Sequence, residues 1–89
     1  MYAVAVRVSI NDRENAQKVL EERVVPGVSG APGFVAAYWT RSADGSNGLS
    51  MLVFESEGAA QAMADRVAGM VPEGVTFDSA EVREVVASA

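Results

Sequence analysis

The hydrophobic positions of this chain follow two periods. From Tyr2 to Ile10, Tyr2, Val4, Val6, Val8 and Ile10 stand on one side and Ala3 and Ala5 on the other, which predicts a β-strand with two apolar faces. The period then changes. Ala16, Val19, Leu20 and Val24 recur at helical spacing, with Gln17, Lys18, Glu21 and Glu22 on the outer side. Asn11, followed three residues later by Glu14, reads as the N-cap of this first helix, and Pro26 predicts its end. Val25 to Gly33 reads as a loop. Its glycines are irregularly spaced and no Lys-Ser or Lys-Thr pair follows them, so it fits turn chemistry better than a phosphate cradle. Phe34 to Arg41 and Leu49 to Glu55 read as strands of a hairpin, joined through Asp44-Gly45 and Asn47-Gly48. Ser56 is placed to cap a second helix with Ala60, Met63, Ala64, Val67 and Val71 along its apolar stripe, stopped by Pro72 and Gly74. The last strand runs from Val75 to Ala87, and its apolar parity shifts between Phe77 and Val82. A bulge near Ser79-Ala80 accounts for the shift.

The order strand, helix, strand, strand, helix, strand predicts an α+β, ferredoxin-like split βαβ fold. Residues 1–89 form one domain, with the first and third strands central and both helices on one face of an antiparallel sheet. A sheet covered by one layer of helices needs only one apolar face. The second apolar face asks for a second cover that a chain of 89 residues has little left to supply. The expected cover is another copy, making a homodimer.

Composition narrows the chemistry more than it names it. The chain has no histidine and no cysteine, which removes disulfides, thiolate and imidazole metal sites, thiol nucleophiles and imidazole bases. The twelve acids are scattered, so no metal site is expected. A net charge of −5 argues against nucleic acid and against anionic membrane surfaces. No stretch approaches the ~20 apolar residues of a membrane span, and the start lacks a basic leader, so a cytoplasmic protein is the expectation.

Four residues are the candidates for ligand binding. Tyr38, Trp39 and Arg41 share a strand, with Tyr38 facing one way and Trp39 and Arg41 the other. An indole beside a guanidinium can clamp a planar anionic molecule by stacking and paired hydrogen bonds. The preferred reading of these two side chains is a dimer contact, with Trp39 packed there and Arg41 paired with a carboxylate at its rim. Arg7, the one charge inside the first strand, either lines a cavity or closes the inter-subunit face. The small residues Ala36, Ala37, Ala59, Ala60, Ala62 and Ala64 permit close helix–sheet packing or leave a void between the second helix and the sheet. No acid–base pair is identifiable from spacing.

Pro32-Gly33-Phe34 opening the second strand, and Phe54-Glu55-Ser56-Glu57-Gly58-Ala59 joining the third strand to the second helix, give the chain its likeness to a known group. With this order of elements it resembles the antibiotic-biosynthesis-monooxygenase-like family over almost its whole length. The resemblance implies a homodimeric α+β barrel in which two sheets pack face to face, with a pocket between each sheet and its own helices. Several members oxidise polycyclic aromatics or haem with O₂ and no conventional cofactor, and share an Asn on strand one and a Trp, often with His, on helix two. The corresponding strand-one position here is Val6, and helix two offers Met63 with neither Trp nor His. Two readings follow. One is a homodimer that binds an apolar or aromatic small molecule or serves as a partner module. The other is a cofactor-independent monooxygenase acting on a phenolic or quinone-like substrate.

Overall fold

The structure is a computed structural model describing residues 1–89. Strand β1 (Tyr2–Ile10) leads into helix α1 (Arg13–Val19), a π-helical turn (Leu20–Val24) and helix α2 (Val25–Ser29). Strands β2 (Phe34–Arg41) and β3 (Asn47–Phe54) follow, then helix α3 (Glu57–Val67) with a 3₁₀ turn (Ala68–Met70), and strand β4 (Val75–Glu84). The sheet order is β2-β3-β1-β4, with every neighbouring pair antiparallel, so β1 and β3 are central as the pattern predicts. This is the α+β ferredoxin-like arrangement. No helix is long and apolar enough to cross a membrane.

One face of the sheet carries the core. Val4, Val6, Leu52 and Phe54 meet Val28 from α2 and Ala60, Met63 and Val67 from α3. The predicted change of parity in β4 is present. The register against β1 shifts between Arg7 and Val8, which leaves Asp78 as the extra residue. Phe77 and Ala80 therefore both pack against the core although three positions apart. A second irregularity, between Phe34 and Ala36, lets Phe34, Ala37 and Trp39 pack against that same core.

The first helix differs from its sequence reading at both ends. Asp12, not Asn11, is the N-cap, accepting from the Asn15 amide at 3.1 Å. The backbone amides of Asn11 and Asp12 both donate to the Gly74 carbonyl, at 2.7 and 3.0 Å, while the Asn11 side chain donates to Thr76 Oγ1 at 3.2 Å. Pro26 does not end the helix. The π-helical turn before it re-registers the backbone, and Pro26 enters the first turn of α2, where its missing N–H leaves nothing unpaired. The reading of Val25 to Gly33 as a loop thus holds only for its last residues. Ser56 caps α3 as predicted, accepting from the Ala59 amide at 3.1 Å. β3 begins two residues before the predicted Leu49, and β4 stops at Glu84 rather than Ala87.

Candidate ligand cavity

The sheet's inward face tapers. On β3 it reads Gly48, Ser50, Leu52, Phe54, small at one end and large at the other. At the large end Phe54 meets Phe34 edge to face, ring centroids 6.1 Å apart, and α3 seals the packing with Ala60 and Met63. At the small end the side chains stop short of the helices. A cavity of about 300 Å³ opens there between the sheet, α1 with its π-helical turn, and the segment that follows α3.

Its walls follow from register. Trp39, Ser50 and Val6 lie in one row across β2, β3 and β1, and Arg41, Gly48 and Val8 form the next row toward the open end. Leu20 and Val24 cover these rows from the π-helical turn, and Val67, Met70 and Val71 close the side. Most of this surface is hydrocarbon. The polar exceptions, Gln17, Thr40, Arg41 and Ser50, belong to α1, β2 and β3.

The structure brings together two of the four candidate residues. Trp39 and Arg41 both line the cavity. Trp39 is thereby placed on the helix side of the sheet, not at an outer contact. Arg41 has no acid for a partner. Its Nη2 donates to Gln17 Oε1, and Gln17 Nε2 donates in turn to Glu21 Oε1 at 2.7 Å. Tyr38 and Arg7 do not line the cavity. Tyr38 is 71% exposed on the opposite face beside Met51, and Arg7 lies on that face between Leu49 and Ser79. Opposite faces of one sheet cannot serve one pocket within a single chain.

Of the two readings of the alanines, close packing holds for α3, and the space lies elsewhere. Ala60 is fully buried against the core, and the opening is displaced toward the last turn of that helix. Sequence reasoning missed Gln17, assigned to the outer helical side, and Ser50. A signal for Ser50 was present, because a glycine and a serine alternating inward on a central strand mark missing volume. The chain contains no cluster of three or more metal-ligating side chains.

The two motifs behind the family resemblance prove to be in contact. Gly33 has φ +80°, and a Cβ placed there would sit 3.1 Å from Ala59 Cβ. Its carbonyl accepts from the Glu55 amide at 2.8 Å. Pro-Gly-Phe and Phe-Glu-Ser are thus two halves of one joint, and their role is architectural.

Solved structures share this architecture across the whole chain. A Deinococcus radiodurans protein provisionally described as an antibiotic biosynthesis monooxygenase superposes with a TM-score of 0.66 at 13% identity, covering 100% of this chain and 96% of the other. The chain has the antibiotic-biosynthesis-monooxygenase-like fold. The monooxygenase ActVA-Orf6 of Streptomyces coelicolor, in complex with nanaomycin D, gives a TM-score of 0.55 at 14% identity over 99% and 92% of the two chains. A point mutant of MhuD with two manganese protoporphyrin IX molecules in each active site gives 0.59 at 24% identity over 98% and 97%. No family model and no curated protein matches the sequence.

Proposed function

We propose that this protein binds a flat apolar or aromatic small molecule in the cavity beside Trp39, as one half of a homodimer. The observation that carries the reading is the cavity itself: about 300 Å³, walled mainly by aliphatic side chains, with an indole and a few polar groups at one end. That volume stands at the low end of the roughly 300–1,000 Å³ typical of small-molecule sites and suits two or three fused rings. Trp39 is the chain's only tryptophan, so its emission is a native reporter. Titration with a naphthalene-sized aromatic quenches or shifts that emission in the wild type, and Val71→Phe, which fills the cavity wall, removes the response. An unchanged response in that variant overturns the reading.

The dimer rests on the outer face. Val35, Tyr38, Leu49 and Met51 are large apolar residues left exposed there, around the small Ala3 and Ala5 of β1. Sedimentation at micromolar concentration yields a dimer, and Met51→Glu, with a carboxylate in the middle of that face, yields a monomer. A monomeric wild type removes this part of the proposal.

Turnover is the second reading, favoured by the two monooxygenase descriptions among proteins of this fold. In a cofactor-free oxygenation the substrate supplies its own electrons: a ring CH₂ becomes C=O with one atom of O₂, and the other leaves as water. In that reading Trp39 and Arg41 position the substrate. Oxygen uptake that depends on an aromatic substrate and disappears in Arg41→Ala supports turnover; binding without uptake supports the first reading. Val6 faces the cavity and Met63 is buried in the core, so the positions that the family resemblance marks as reactive carry no polar group.

A further inference from the structure

Arg41 is a cation at the rim of an apolar cavity, with no carboxylate within ion-pair distance. The one ion pair within the chain is Arg83 with Glu81, on the far strand. Arg41's side-chain partner is the neutral oxygen of Gln17. A guanidinium has five N–H donors in a fixed fork that matches a carboxylate, and a neutral amide occupies it weakly. Two residues earlier on the same strand face stands Trp39, roughly 7 Å away along the strand. From these placements we infer that the ligand is an aromatic acid: a flat ring system beside Trp39 that carries an anionic oxygen group at Arg41, where it displaces Gln17. This rests on the cavity-binding reading and adds the ligand's charge and orientation to it.

Discrimination comes from the local cation, because the chain as a whole, at −5, repels anions. The adjoining surface groove is lined by Arg13, Lys18 and Arg41 and by Glu14, Glu21 and Glu22, so three charges of each sign leave it no net charge to steer an anion. Glu21 is already engaged, accepting from Gln17 Nε2. When Gln17 yields its place at the guanidinium, its amide stays tethered to Glu21, and the fork is open to the ligand. An ionic hydrogen bond exceeds a neutral one by enough to favour the acid over its uncharged analogue by about tenfold.

Calorimetric titration with 2-naphthoate and 2-naphthamide at pH 7 tests this, since the pair matches in shape and differs in charge. The expected result is naphthoate binding about tenfold tighter than the amide to wild type. Arg41→Gln brings the ratio to near one by weakening naphthoate more than the amide, a pattern that general loss of structure, which weakens both probes alike, does not produce. Gln17→Ala, which removes the resting partner, keeps the wild-type ratio or raises it. Equal binding of the two probes to wild type overturns the anion inference and leaves the cavity reading standing. A preference that persists in Arg41→Gln, or disappears in Gln17→Ala, overturns the assignment to these residues. If neither probe binds, the cavity reading falls and this inference falls with it.

Discussion

Replacing Gly33 with alanine tests whether the joint between the two motifs holds the fold together. The φ of +80° at this position lies in the left-handed region, which costs a residue with a Cβ about 1–2 kcal/mol. The new methyl also meets Ala59 Cβ at 3.1 Å. That neighbour is a Cβ in the first turn of α3 and cannot rotate away, so α3 or the β2 entry must shift, adding about 1 kcal/mol. Reduced freedom of the unfolded chain returns roughly 0.4–1 kcal/mol. The net loss is about 2 kcal/mol. With a urea m-value of about 1–3 kcal/mol/M, the midpoint falls by about 1 M at fixed protein concentration. Gly58→Ala is the matched control: nothing lies within 4 Å of the added Cβ, and the helical backbone accepts it, so stability is unchanged or rises by up to about 1 kcal/mol. Equal effects of the two substitutions, or a Gly33→Ala midpoint within about 0.3 M of wild type, would refute the reasoning.

Burial separates two core truncations. Met63→Ala, at a site 1% exposed, costs about 2–5 kcal/mol, whereas Leu20→Ala on the half-buried cavity wall costs about 1–2 kcal/mol and weakens ligand binding as well; urea midpoints and calorimetry distinguish them. The hairpin loop before β3 carries a pH dependence. Asp44 accepts from the Ser46 amide and from the Ser42 and Ser46 hydroxyls, which lowers its pKa from 3.8 to about 2. Its folded pKa lies below the unfolded one, so the loop's added stability is present above pH 3.8 and lost as pH falls through about 2. Amide exchange at Ser46 reads this: protection falls across that window, and Asp44→Ala shows reduced protection at every pH.

Legibility in the sequence followed the strength of each local rule. β1 and β2 were readable to the residue because alternation and flanking turn residues agree. The parity break in β4 was visible as a bulge, since Phe77 and Val82 cannot face one core without an extra residue between them. The first helix was misread where two rules competed. Asn11 and Asp12 are both good caps, and they differ in their side-chain partners: the Asn11 amide donates to Thr76 Oγ1, far along the chain, which leaves Asp12 to accept from the Asn15 amide. Pro26 is a helix breaker in an α register, and only the three-dimensional path shows the π-helical turn that accommodates it. At the cavity, shared parity was enough to put Trp39 and Arg41 on one face of β2, and both line it. Gln17 was missed because helical spacing puts it on the flank of the stripe. The direction of Arg41, on another element, is what turns that flank into a rim.

The distribution of polarity across the cavity bears on what the protein can do with a ligand. The two aromatic and cationic groups come from β2, an edge strand of the sheet. The central strand β1 contributes Val6 and Val8, and α3 contributes Val67. A ring system in this cavity, as proposed, would have one end in contact with N–H donors and its interior in contact with hydrocarbon. Proton transfer needs a titratable group within hydrogen-bond reach of the reacting atom. Here the ionisable group lining the cavity is a guanidinium, which donates hydrogen bonds and offers no acceptor. Such a site can orient an acid and stabilise its anion, and any reaction of the ring interior has to draw its acidity and its electrons from the ligand itself. The apolar face of β1, which builds the core at one end, is also what leaves the other end an apolar cavity to which that strand brings no proton-transfer group.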